Sequence, residues 1–171
     1  MNTISQKENE RTQLDRLAAQ RQLYSQAKRV FGWQLILSIP CVIIWSFAMS
    51  AWPVLRPYAA LWGIIIALLG LSVLDRYQTS LREKGAKIQE LFDCDVLDLA
   101  WSELKTGQRP DAELVAEQSS LYRRRDPDYK ALRDWYAPVV GVLPIHLARL
   151  VCQRASCGGM QRFVAATRFP C

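Results

Sequence analysis

Residues 31–74 decide the fold. They read FGWQLILSIPCVIIWSFAMSAW (Phe31–Trp52), then PVLRP (53–57), then YAALWGIIIALLGLSVL (Tyr58–Leu74). Neither long run contains Asp, Glu, Lys, Arg or His. The runs are 22 and 17 residues long. At about 1.5 Å per helical residue they would reach roughly 33 and 26 Å, near the roughly 30 Å of a bilayer core. Each holds nine Leu, Ile, Val or Phe residues. At about −0.3 to −0.6 kcal/mol each near the bilayer centre, these favour insertion by roughly 3 to 5 kcal/mol per helix. Gln34, Pro40 and the serines of the first run offset part of that. The expectation is an all-α membrane protein built on a two-span transmembrane helical hairpin. A buried core hairpin is the competing reading. A cleaved signal peptide fits less well, because the first run begins 30 residues in and exceeds a signal h-region.

The flanks set the orientation. The mean hydropathy of −0.03 averages two apolar runs with a polar remainder and so misleads. Net charge is +6. Lys7, Arg11, Arg16, Arg21, Lys28 and Arg29 precede the first run, and Arg76, Arg82, Lys84 and Lys87 follow the second. Arg56 is the one cation between them. The positive-inside rule then predicts both termini on the cytoplasmic face of a bacterial inner membrane. Juxtamembrane cations also suit anionic lipid, so the charge needs no nucleic acid. Trp33 and Trp52 bracket the first run, and Tyr58 and Trp62 open the second, as interfacial aromatics do.

The chain therefore divides into an N-terminal cytosolic helix (1–30), a first span (31–52), an external loop (53–57), a second span (58–74), a cytosolic helical stalk and sensor or interaction region (75–157) and an atypical tail (158–171). Residues 1–12 read as frayed, and 13–30 as helix. Leu74, Tyr77, Leu81, Ile88 and Leu91 follow a three-four alternation, broken once at Lys84, which predicts a stalk helix over 75–92. Residues 92–97 read as a turn with apolar anchors, and 99–104 as one helical turn. Helices are predicted over 111–122, from the Asp126-Pro127-Asp128 turn through Trp135, and over 144–155. No strand pattern stands out.

Candidate sites are few. Gln34, Ser38, Ser46 and Ser50 recur at multiples of four in the first run, which lays a polar stripe along one side. Helix–helix hydrogen bonding and pore lining both account for it. Ala59, Gly63 and Ala67 have the small-xxx-small spacing that lets another helix approach closely. Tyr122, Arg123, Arg124 and Arg125, with Tyr129 nearby, form a dense basic patch. It reads either as a solvated helix C-terminus or as a site for an anion such as a lipid head group or a nucleotide phosphate. No nucleotide-binding glycine motif and no Ser–His–Asp set occurs. The carboxylates of 93–98 read as caps and turn formers. His146 is the sole histidine, and its spacing to Cys152 and Cys157 matches no zinc pattern. The expectation is no enzyme, no metal and no cofactor.

Several stretches carry a resemblance: Gln13–Tyr24, Ala59–Ile64, Lys87–Leu97, Tyr122–Arg124, Trp135–Tyr136, Leu147–Arg149 and Cys152–Arg154. Across roughly residues 1–157 the chain resembles the S-4TM family, the bacterial SMODS-associating four-transmembrane pore-forming effectors. The resemblance implies a homo-oligomeric effector that disrupts the inner membrane in antiphage defence, downstream of a cyclic nucleotide signal. A non-enzymatic membrane anchor, or an inactive short form, is the alternative. The family pattern would supply a second pair of spans after the segment matching Leu147–Cys157. The tail from Gly158 carries none, which reads as a frameshift or truncation near Ser156–Gly158.

Overall fold

The 3.6-residue apolar periodicity of the flanks and the apolar runs, over their described residues, resolve as helix. The computed structural model describes residues 2–52, 54, 56–69 and 73–165, without the side chains of 37, 49, 56, 57, 59, 60, 66, 67, 69 and 157–165. Among the described residues there is no strand. The α-helices are α1 (Ile4–Lys7), α2 (Arg11–Ala51), α3 (Arg56–Leu69), α4 (Asp75–Val96), α5 (Glu103–Thr106), α6 (Ala112–Arg123) and α7 (Ile145–Ala165). A 3₁₀ turn, Pro138–Val142, precedes α7.

Contacts divide the chain into two units, Arg21–Ala86 and the combination of Met1–Gln20 with Lys87–Cys171. In the Arg21–Ala86 unit, α2 runs through Pro40 without a break. Among the described residues it is the one helix long and apolar enough to cross a membrane, and none of its apolar window is buried. Phe31, Ile36, Ile44 and Phe47 are all exposed. Of the second expected span, residues 58–69 are helical in α3, which also takes in Arg56 and Pro57 of the expected loop. Gly70, Leu71 and Ser72, which the expected span includes, lie outside the described residues, as do Pro53 and Leu55 of the expected loop. Trp45 and Trp62 stack with ring centroids 5.9 Å apart at 26°. Leu23, Ala27 and Leu81 are buried, and Gly85 packs on the Tyr24 ring, where a Cβ would lie 3.4 Å from its carbons.

The other unit has a core of its own. Leu14, Leu17 and Ala18 from α2 meet Phe92 and Val96 from α4 and Ala148 and Cys152 from α7. Four expectations are corrected here. The N-terminus is not frayed: the Asn2 amide donates to the Val140 and Leu143 carbonyls at 2.6 and 3.0 Å, and Ile4 is buried in the core. Residues 92–96 are not a turn. The stalk helix carries Ile88, Phe92 and Val96 on one buried stripe and so continues to Val96. It ends at Asp98, whose φ of 52° is left-handed, with the Leu99 amide reaching back to the Cys94 carbonyl at 2.8 Å. That is a Schellman termination with Asp where Gly is commoner. No helix forms from Asp126 to Trp135. Tyr129 adopts φ 53° and Asp134 φ 51°, which break the helical path and bury Tyr129 and Leu132. The helical turn expected at 99–104 forms instead at Glu103–Thr106. The expectation for α6 holds, with the Asp111 carboxylate accepting from the Glu113 amide at 3.1 Å as an N-cap. α7 begins at Ile145, just after the expected start at Pro144, and extends beyond the expected end at 155 to Ala165, past the start of the tail; residues 166–171 lie outside the described residues.

Candidate functional site

The polar stripe of the first run does not act as one group. Gln34 is half-buried and accepts a hydrogen bond at 2.9 Å from the buried Gln78 amide of α4. The Ser46 hydroxyl donates to the Val42 carbonyl one turn back, at 2.8 Å. Ser38 is half-buried, and Ser46 and Ser50 are exposed. Satisfying an amide between helices accounts for Gln34, and back-bonding accounts for Ser46. On α3, a Cβ added at Gly63 would meet nothing within 4 Å, so among the described residues no helix uses that position for close approach. The side chains of Ala59 and Ala67 lie outside the described residues.

The basic patch is only partly a patch. Arg123 ends α6 and turns inward to Asp15 of α2. Its Nη2 donates to Asp15 Oδ1 at 3.1 Å and its Nε to the Tyr129 hydroxyl at 2.9 Å. The Tyr129 hydroxyl also donates to Asp15 Oδ1. Arg124 caps α6, and Arg124 and Arg125 are exposed. Tyr122 is half-buried and packs on the core cluster. The Asp15 partner was not legible in the sequence, because it stands 108 residues from Arg123 and no local pattern links them.

A second polar group lies inside this unit. The Tyr136 amide donates to Glu8 Oε2 at 2.9 Å, and its hydroxyl donates to Asp93 Oδ1 at 2.6 Å. Burial pushes both carboxyls up to about 6, against the pull of these hydrogen bonds. Burial also pushes the Cys152 thiol up to about 12 and raises that of Cys94, so neither is a ready nucleophile. Asp93 is therefore neither a cap nor a turn former. Asp95 pairs with Arg16, and Asp98 with Lys7. Lys7, Glu10, Gln13, Asp95 and Asp98 line an open polar cleft of about 350 Å³. Across this lining Lys7 holds Asp98, while Arg16 holds Gln13 and Asp95.

The SMODS-associating 4TM effector domain matches residues 2–159. The chain belongs to this family. The S-4TM match spans nearly all that the motifs in the sequence suggest, and it includes both apolar runs. A probable CBASS effector molecule from Bacillus cereus (strain VD146) is 24% identical over 136 residues. That alignment covers 77% of this chain and 45% of the relative, so the chain spans less than half the length of the curated relative it matches. No solved structure matches this S-4TM chain.

Proposed function

We propose that this S-4TM chain acts in antiphage defence by disrupting the bacterial inner membrane when a cyclic nucleotide signal reaches its cytosolic part. The observation that carries the reading is α2, whose apolar window has no buried residue, in a family of effectors. In water, such a surface would far exceed the apolar patch a soluble monomer exposes, and lipid removes that cost. Phe31–Trp52 and Tyr58–Leu74 thread the membrane as a hairpin, and both termini lie on the cytoplasmic side. Copies associate to open the pore, and the open surface at Gly63 supports such packing. The protein is not an enzyme in this reading, since its work is done by insertion and association. The CBASS relative supports a cyclic nucleotide as the signal.

The test is expression of the chain in bacteria with its signal synthase, read by a membrane-potential dye. Depolarisation that depends on the synthase is expected. Unchanged potential, with the chain present in the membrane fraction, would overturn the reading. A second reading, a membrane anchor that docks a partner, is favoured by one observation: the Gln34 amide is spent on Gln78 and not on a pore. Replacing Ser38 and Ser46 with Ala separates the two. The pore reading expects a change in depolarisation; the anchor reading expects none.

A further inference from the structure

Asp15, Arg123 and Tyr129 form a set whose chemistry exceeds a surface ion pair. Two donors of different kinds, a guanidinium N–H and a phenol O–H, converge on a single oxygen, Asp15 Oδ1. The guanidinium fork also grips the phenol oxygen through Nε, which fixes the direction of both donors. This is the arrangement that recognises one oxygen of an oxyanion. The backbone supports it at some cost. Tyr129 is held at φ 53°, a conformation that an aromatic residue rarely adopts. The Asp126 carboxylate fixes the turn by accepting from the Lys130 and Ala131 amides at 3.1 and 3.2 Å. Strain of this kind at a residue that aims a donor is characteristic of ligand clamps. The site is open on the arginine side, with the Arg123 side chain 39% exposed and that of Asp15 24%. Arg124 and Arg125 follow, both exposed. The nearby acids are already engaged, Asp126 by the amides and Asp128 by Lys130 at 3.6 Å.

We propose that Arg123 and Tyr129 form a phosphate site that Asp15 occupies as a resident anion, and that a soluble phosphate-bearing ligand binds by displacing the Asp15 carboxylate. This rests on the reading of the chain as a signal-gated effector, and it names the group the signal must carry. A phosphate brings more charge and more acceptor oxygens than one carboxylate, and the adjacent arginines favour that excess. Displacement would free α2 from Arg123 at Asp15, on the same helix that carries the first apolar run.

The experiment titrates the full chain, in lipid-free detergent, with pyrophosphate by calorimetry. Asp15→Asn is expected to bind at least tenfold more tightly than the unaltered chain, and Arg123→Gln to abolish binding in either background. A purely structural clamp predicts the opposite pattern: Asp15→Asn binds no better, or Arg123→Gln binds as well as its parent. Either result overturns the proposal. Should Asp15→Asn fail to fold, phenylglyoxal modification of the unaltered chain, read by mass spectrometry at Arg123, takes its place. Pyrophosphate is expected to protect Arg123; equal modification with and without it overturns the assignment. Protection by phosphatidylglycerol nanodiscs without any effect of pyrophosphate would assign a lipid head group and overturn the soluble ligand. None of these measurements reads membrane leakage. Failed binding with depolarisation intact removes only the Asp15 site, and intact binding without depolarisation removes only the effector reading.

Discussion

Tyr136 shows how single residues set the behaviour of the core. Its ring stacks on Phe92 at 6.1 Å, while its amide and hydroxyl hold two carboxylates, Glu8 and Asp93. Both acids sit near 6 in the folded chain and near the usual carboxylate range when unfolded. Between those values the folded state binds more protons than the unfolded one, so stability falls as pH rises from about 4 to about 6 and then levels off. The loss is on the order of 1–3 kcal/mol for each group. Thermal melts of the chain in detergent should therefore show a higher Tm at pH 5 than at pH 7.5. Asp93→Asn keeps an acceptor for the Tyr136 hydroxyl and should flatten much of that dependence; a Tm that rises with pH would contradict the assignment. Phe92 is fully buried in the same cluster, so Phe92→Ala should cost about 3–5 kcal/mol in a denaturant melt.

The helices also depend on contacts that their own sequences do not show. In the Arg21–Ala86 unit, the Gln34–Gln78 amide pair satisfies a polar group at the start of an otherwise apolar run. Gln78→Leu leaves Gln34 unmatched and should destabilise by roughly 1–3 kcal/mol, whereas the double change to Leu should be nearly neutral. A double-mutant cycle of detergent unfolding reads the difference, and additive single costs would show that the pair is not coupled. In the other unit, α1 lies on the 3₁₀ turn so closely that a Cβ at Gly141 would come within 2.9 Å of the Ser5 hydroxyl. Gly141→Ala should therefore loosen the N-terminal segment, seen as faster amide exchange at residues 4–8, while Ser5→Ala in the same chain should restore part of the protection. The helical character of α2, α4 and α6 was legible because apolar periodicity and the Asp111 cap are local. The start of α4 at Asp75 was legible too; its C-terminal end and the missing helix after Asp126 were not. There the left-handed residues Asp98, Tyr129 and Asp134 act, and only packing decides whether such residues are tolerated.

For the whole molecule, the proposed hairpin predicts that the chain stays with the membrane after alkaline extraction and that reporters fused to either terminus are active only in the cytoplasm. A reporter active in the periplasm at one end would require an odd number of spans. By itself the sequence determined that the chain is helical, that residues 31–52 form a stretch apolar enough for lipid, and that the chain is an S-4TM relative. The first two follow from composition and short-range spacing, which act along the chain; the third rests on stretches such as Gln13–Tyr24 and Lys87–Leu97 that match the family, not on composition or spacing. Only the tertiary structure decided that the first residues are part of the core, that Asp93 is a half-buried acid held by Tyr136 and that Asp15 holds Arg123 with Tyr129. Each of those depends on groups scores of residues apart, brought together because burying the apolar faces of α2, α4 and α7 packs distant segments side by side.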